Sequence, residues 1–181
     1  PMGPADAVAL YHSVSKVRKD AFFFANEIFV YLLGAFENIM APVVWDQESQ
    51  LHTATKKTIE RMRTFFSEER IGILFPSGRL SKFTLFGLKE RAWQKTPLSI
   101  AERHECLLVP AYIVGRNSWF FYFASVINKQ LRDVTQLNEL LNKKNKKIKI
   151  IIGKPVSRNQ LYENDDDAIK QLKKLSDSLK K

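Results

Sequence analysis

Hydrophobic and polar positions follow two periods along the chain, one typical of helices and one of buried strands. Apolar residues recur at helical spacing over 7–18, and we expect Asp6 to be the N-cap of a helix that opens directly after it. Residues 53–66 predict a second amphipathic helix with basic side chains outside its apolar face. Residues 165–181 place aspartates before leucines at helical spacing and end in lysines, which predicts a terminal amphipathic helix.

Three short apolar runs have the character of buried strands. They cover residues 71–75, 107–114 and 147–152, and the first and last of them end at turn signals that contain glycine and proline. Strands that alternate with helices predict an α/β fold, with a central mixed sheet flanked by helices. Such folds place their chemistry at strand ends, so we expect the active-site loops to lie together at one edge of the sheet.

Residues 21–45 form the most apolar stretch of the chain. About 20 apolar residues suffice to cross a bilayer, but Glu27, Glu37 and Pro42 interrupt this stretch. Charged groups in the bilayer centre each cost a few kcal/mol (about 2.5–3.5 on insertion scales). We therefore predict a short buried strand followed by an amphipathic helix, of a kind that is compatible with binding at a membrane surface.

The composition favours one domain over residues 1–181, because 181 residues with 45% hydrophobic content can close one ordinary core. The single Cys106 excludes an internal disulfide and a multi-cysteine metal site. The sequence contains no Walker loop, zinc-ligand spacing, dinucleotide fingerprint or nucleophile elbow, so we expect neither a bound cofactor nor a metal.

The net charge of +10 predicts anionic partners. Nucleic acid, an anionic bilayer and an acidic protein such as an acyl carrier all fit this charge, and a solvated basic face is the plainer alternative. No recognisable reading helix or aromatic platform accompanies the lysine runs, which disfavours nucleic acid.

Several loop motifs occur in a fixed order along the chain. They are Pro1-Met2-Gly3-Pro4-Ala5-Asp6, Phe75-Pro76-Ser77-Gly78-Arg79-Leu80-Ser81, Val109-Pro110-Ala111-Tyr112-Ile113, Gly115-Arg116-Asn117-Ser118 and Ile152-Gly153-Lys154-Pro155. In this order they resemble the glycerolipid acyltransferases, in their hemolysin-like branch. The first block is similar to the family motif Asn-His-Pro-x-Gly-x-x-Asp without its Asn and His, so we expect the chain to be truncated just after the motif histidine. The second block resembles Phe-Pro-Glu-Gly-Thr-Arg-Ser.

The resemblance implies a catalytic pair in which a histidine just before Pro1 removes the proton of an acceptor hydroxyl and Asp6 orients that imidazole. Five residues would separate the two, one more than the usual spacing of the family, which we interpret as a branch feature. A hydroxyl is a poor nucleophile at neutral pH, and an imidazole held by a carboxylate is a competent base. Read without the resemblance, Asp6 is an ordinary helix cap.

The resemblance also implies a substrate pocket formed by Met2, Gly3, Phe75, Pro76, Ser77, Gly78 and Arg79. The guanidinium of Arg79 presents a fork of donors to a phosphate or carboxylate, and Gly78 permits a close backbone approach. Ser77 replaces the family glutamate, and the arginine comes one residue early. Without the other motifs, Pro76-Ser77-Gly78 is an ordinary turn, and Arg116 an ordinary surface charge.

The three histidines present are weaker candidates for the base. None of them precedes an aspartate at the motif spacing, and none stands at a predicted strand-to-loop junction. They are His12, His52 and His104.

The function implied is transfer of a fatty acyl group from an acyl carrier protein or coenzyme A thioester to a lysophospholipid or lyso-ornithine-lipid hydroxyl. We expect it at the cytoplasmic face of the cell membrane, with the protein bound peripherally to anionic lipid. The alternatives are a non-catalytic lipid-binding domain of the same fold and, from another class, a basic nucleic-acid-binding domain.

Overall fold

The computed structural model shows helices and short strands that alternate along the chain. It describes residues 4–26, 38–43, 52–78, 82–84, 87–89, 91–115, 117–118, 121, 135, 139, 142–143 and 146–180. The helices in these ranges are α1 (Pro4–Ser15), α2 (His52–Ser67), α3 (Thr96–His104) and α4 (Asp165–Ser178). The strands are β1 (Phe22–Asn26), β2 (Met40–Val43), β3 (Gly72–Ile73), β4 (Lys82–Thr84), β5 (Gly87–Lys89), β6 (Ala111–Val114) and β7 (Lys149–Ile152).

Strand pairing confirms the α/β class. Strands β2, β1 and β3 form a parallel sheet in that order, whereas β4 pairs with β5 and β6 with β7 in antiparallel fashion. Parallel and antiparallel pairings thus both occur, in separate sheets within the described residues. Within the described residues, the loop after β3 and the loop before β6 therefore belong to strands of different sheets. The expectation that these loops share one sheet edge is not met there.

The sequence located α2 and α4 to within one residue at their starts, and it placed α1 three residues too late. Helix α1 begins at Pro4, so Asp6 is its third residue and lies in the first turn rather than at the N-cap. Proline is well suited to this start because its fixed φ is helical and its missing N–H has no partner in the first turn. The prediction that Asp6 caps the helix is therefore wrong, although its carboxylate still lies where the helix dipole favours negative charge.

Strand β1 confirms the strand predicted at the start of the apolar stretch, while the amphipathic helix expected after it lies outside the described residues. Strand β2 was not predicted, because Pro42 usually argues against a strand. Within the described residues β2 is an edge strand, which explains the proline, since such a strand has one side free of ladder hydrogen bonds. None of the helices in the described ranges is long and apolar enough to cross a bilayer.

Contacts divide the chain into two compact units. The first comprises residues 1–10 and 76–181, and the second comprises residues 11–75. That the whole chain acts as one domain stays a prediction.

The second unit is organised around Phe22, whose side chain is fully buried. Its ring packs 4.7 Å from the ring of Phe65 on α2 and 5.2 Å from that of Phe24. The Arg70 guanidinium lies 3.9 Å from the Phe65 ring centroid, and its Nε donates to the Asp20 carbonyl. These contacts fix β1 against α2, and β3 is hydrogen-bonded directly beside β1.

The first unit has its core between α3 and α4. Leu98 on α3 packs with Leu161 and with the apolar face of α4, and Leu108 and Val156 complete the cluster. Helix α4 is capped by Asn164, whose side-chain oxygen accepts hydrogen bonds from the backbone N–H groups of Asp166 and Asp167. This core supports the loops that carry the motif residues of this unit.

Candidate functional site

Asp6 is the most deeply buried of the predicted site residues that the structure describes. Its relative exposure is 2%, in the first turn of α1. Aspartate is seldom buried to this extent, because removing a carboxylate from water is costly unless other groups compensate. The first-turn position supplies part of that compensation through the helix dipole. A carboxylate held in this way is suited to orienting an imidazole.

The loop that begins at Pro76 follows the carboxyl end of β3. Ser77 is buried, with 6% of its surface exposed, and Gly78 adopts a left-handed φ of 59°. Glycine suits this conformation because a Cβ there is strained. The carbonyl oxygen of Pro76 accepts a hydrogen bond from the backbone N–H of Gln94 at 2.9 Å. The Pro76–Gly78 turn is therefore anchored to the segment that leads into α3.

The structure assigns Asp6, Pro76, Ser77 and Gly78 to the first compact unit. Phe75, half-buried, is the last residue of the second unit. The remaining predicted site residues lie outside the described residues; they are Met2, Gly3 and Arg79. The geometry thus groups the carboxylate and the turn within one unit, and the role of the pocket stays a prediction.

The Val109-Pro110 and Gly153-Lys154-Pro155 motifs lie opposite each other. Ala111 pairs with Ile152, and the next bridge joins Leu108 to Val156, so three residues of one strand face two of the other. This is a β-bulge, in which the extra residue bends the strand. The N–H of Gly153 bonds to the carbonyl oxygen of Pro110 at 2.8 Å within it. Two motifs that are distant in sequence are therefore one structural feature.

A buried carboxylate holds the loop that follows β6. Glu139, 3% exposed, accepts a hydrogen bond from the Ser118 N–H at 2.8 Å and a short one from the Ser118 hydroxyl. The Ser118 Oγ in turn accepts from the N–H of Phe121 at 3.2 Å. Burial raises the pKa of Glu139, but the Ser118 hydrogen bonds, the Asn142 amide and the Lys143 charge outweigh it, so the pKa lies below its ordinary value.

Sequence reasoning missed Glu139, although a signal for it exists. Glu139 stands among Leu137, Leu140 and Leu141, and an acid within an apolar run of this kind needs a partner if the run is buried. The partner belongs to the Gly115–Ser118 block already singled out as a motif. Arg116 in that block lies outside the described residues, and Asn117 is buried.

Histidines and possible metal ligands add little to the site. His12 is exposed on α1 and His104 is half-buried at the end of α3, while the side chain of His52 is not described. Within the described ranges, no three histidine, cysteine, aspartate or glutamate side chains come together as metal ligands do.

An open cleft of about 540 Å³ adjoins the segment that anchors the Pro76 turn. Trp93 and Gln94 line one side of it, and Lys95 forms an ion pair with Asp166 at 2.9 Å on the other. None of the motif residues that the structure describes lines this cleft. Lys95 is the one basic side chain among the described residues that line it, and that side chain is paired with Asp166.

The chain is similar to a protein of Phocaeicola vulgatus named lyso-glycine lipid O-acyltransferase, with 28% identity over 170 residues. The aligned region covers 86% of this chain and 56% of the relative, so the chain spans little more than half the length of the relative it matches. No family model matches the chain, and no solved structure matches it. The similarity supports a relationship to acyltransferases that act on lipids.

Proposed function

We propose that this chain carries the catalytic region of an enzyme that transfers a fatty acyl group to a lysolipid hydroxyl. The observation that carries the proposal is the 28% identity, over 86% of the chain, to a lyso-glycine lipid O-acyltransferase. The order of the motif blocks supports the same assignment and adds the hemolysin-like branch. Asp6 is buried and belongs to the same compact unit as the Ser77–Gly78 turn. This supports the proposal that the two contribute to one site.

In the proposed mechanism a histidine directly before Pro1 is the general base and Asp6 is its positioning residue. The imidazole removes the proton of the acceptor hydroxyl while that oxygen attacks the thioester carbonyl. The new ester C–O bond forms, the C–S bond breaks, and the proton passes from the imidazole to the leaving thiolate. Asp6 fixes the imidazole tautomer and stabilises its charged form, a task for which a buried carboxylate is well placed.

The proposed acceptor site lies at the turn Pro76–Gly78 together with Arg79, Met2, Gly3 and Phe75. Gly78 leaves the backbone open to an approaching ligand, since its left-handed φ comes without a Cβ. Arg79 would bind the anionic part of the lipid through its planar fork of donors. A glycine headgroup offers a carboxylate where a phospholipid offers a phosphate, and both match that fork.

The proposed donor is an acyl carrier protein or coenzyme A thioester, and the proposed setting is the cytoplasmic face of the cell membrane. The net charge of +10 supports both, because the carrier and the leaflet are anionic. Peripheral binding to anionic lipid brings the protein to an acceptor that resides in the bilayer.

The test is thioester-dependent acylation of a lyso-glycine lipid, measured for the chain with Asn-His added before Pro1. We expect turnover, and a loss of about 10²–10⁴-fold in kcat for Asp6→Asn, the range set by general-base assistance. Asp177→Asn, on the exposed face of α4, is the matched control and should leave kcat unchanged. Lipid binding without turnover in every variant would favour the non-catalytic lipid-binding domain.

A further inference from the structure

One face of the antiparallel pair β6/β7 packs against the core of the first unit, and the other exposes aliphatic side chains near the end of β7. Leu108 and Val156 pack against the core of the first unit. A Cβ placed at Gly153 would lie 3.3 Å from Leu179, just after α4, so the α4 segment covers this same side. Successive side chains of a strand point to opposite faces, so Leu107 and Val109 point away from the core.

The face that points away from this core carries six apolar residues, of which Ala111, Ile113 and Ile150 are half-buried. Cross-strand partners share a face, so Ile152 and Ile150, paired with Ala111 and Ile113, lie on the side of Val109. We call this set of six residues the outer face; it consists of Leu107, Val109, Ala111, Ile113, Ile150 and Ile152. Leu107 is 61% exposed, Val109 49% and Ile152 55%. Single exposed apolar residues are ordinary, but a contiguous set marks an interaction surface.

The segment that carries Ile150 and Ile152 is rich in lysine, and the exposed Glu105 stands two residues before Leu107. Residues 146–156 contain four lysines and no acid, and residues 106–115 contain no acid either. Lys154 is exposed and lies just after Ile152, whereas the exposed Lys149 pairs with Val114 and so begins on the opposite face of β7. Lysine side chains of this kind keep their charge in a headgroup layer while their stems lie along apolar surface.

We propose that the outer face docks on an anionic lipid bilayer. Exposed aliphatic side chains beside Lys154 and a lysine-rich segment fit a bilayer better than a protein, because protein interfaces are enriched in aromatic residues, methionine and arginine and are depleted in lysine. A symmetric pairing of two copies through this face would bring the same lysines together, at a cost in repulsion. This inference rests on the proposed function only for the purpose of the docking. That purpose is to hold the chain beside a lysolipid in the membrane.

Co-sedimentation of the chain with vesicles, in the absence of any thioester, tests the docking surface separately from turnover. Vesicles of phosphatidylcholine alone are compared with vesicles that also contain phosphatidylglycerol. We expect binding to the anionic vesicles that weakens as salt rises. Leu107→Ser, Val109→Ser and Ile152→Ser together should weaken it at least about tenfold, since each removes an aliphatic side chain from the bilayer.

Two exposed residues elsewhere supply the matched apolar control. Val17 is 86% exposed and Tyr162 61%, and neither lies on the outer face, so Val17→Ser with Tyr162→Ser should bind as before. Lys154→Gln should lower binding about fivefold, whereas Lys174→Gln should lower it less. Equal binding by the outer-face variant and its control would overturn the proposal.

A probe measurement keeps the test valid if the triple variant fails to fold. A polarity-sensitive fluorophore is attached at Val109→Cys or, as control, at Val17→Cys, each with Cys106→Ser. On anionic vesicles, emission from position 109 should shift to the blue and emission from position 17 should stay unchanged. A shift at both positions or at neither would contradict the proposal. So would sedimentation velocity that shows self-association through this face without vesicle binding.

Discussion

Gly153 lies so close to Pro110 that a Cβ at this position would be crowded. A Cβ built at Gly153 would be 3.0 Å from Pro110 Cγ and 3.1 Å from the Pro110 carbonyl oxygen. That oxygen also accepts the Gly153 N–H at 2.8 Å, so the two backbones cannot separate without losing the bond. The glycine of the Gly-Lys-Pro motif is thus a packing requirement of the β6/β7 bulge.

Gly153→Ala should therefore destabilise the protein by about 1–3 kcal/mol, the usual cost of forcing extra volume into a packed site. The measurement is chemical denaturation followed by circular dichroism. Lys154→Ala, at the neighbouring exposed position, should change the free energy of unfolding by no more than about 0.5 kcal/mol. Equal stability of Gly153→Ala and the parent chain would show that the backbones move apart freely.

The Glu139–Ser118 hydrogen bonds should make stability depend on pH. The pKa of Glu139 in the folded state lies below its ordinary value of 4.5. A lowered carboxylate pKa contributes stability that is complete above the unfolded-state pKa and is lost as pH falls through the folded-state value. Glu139→Gln should therefore cost about 1–3 kcal/mol at neutral pH and progressively less below pH 4.5.

The control for this prediction is Glu102→Gln, on the exposed side of α3, which should change stability little at either pH. Denaturation midpoints at neutral and at acidic pH give the comparison. If the penalty of Glu139→Gln stays the same at both, the carboxylate charge has no part in holding the loop after β6.

Prediction from sequence succeeded for elements whose hydrophobic pattern agrees with the way they are capped and packed. Residues 53–66 and 165–181 were predicted as helices, and α2 and α4 begin within one residue of those starts. Prediction from sequence failed at two prolines, because proline can open a helix or stand in an edge strand as well as interrupt these elements. Pro4 opens α1 earlier than Asp6 suggested, and Pro42 lies in an edge strand that its residue type argues against. Which sheet edge a strand occupies depends on tertiary pairing, which local pattern does not contain.

The length of a strand and the partner of a buried acid are also difficult to predict from the sequence. The run 107–114 was predicted as one strand, but the ladder with β7 is regular only from Ala111, because Pro110 has no N–H to donate and the bulge lies beside it. Glu139 was missed because its partner Ser118 is 21 residues away in sequence. The motif order could be recognised from sequence, whereas the contacts that hold the motifs could not.

Arg79 should contribute to acceptor binding rather than to folding. Arg79→Ala in the active protein should raise the KM for the lysolipid or abolish turnover, while Tm changes by no more than a few degrees (about 2–4 °C per kcal/mol for a chain of this size). Arg79→Lys should recover part of the affinity, because it restores the charge without the bidentate fork. Arg103→Ala, exposed on α3, is the control. Loss of folding without a specific change in KM would assign Arg79 a structural role.

Residues 1–181 alone should not catalyse efficient acyl transfer. Asp6 cannot replace the motif histidine, since carboxylates as a class are weaker bases than imidazole and its buried position suits it to orient an imidazole. The measurement compares thioester-dependent acylation of a lysolipid by the chain as it stands and by the chain with Asn-His added before Pro1. The addition should raise kcat by about 10²–10⁴-fold. Addition of Asn-Ala instead should give no increase, which separates the imidazole from the effect of a longer chain. Equal and substantial activity from all three chains would mean that another residue is the base, and His12, exposed on α1, would be the first to substitute.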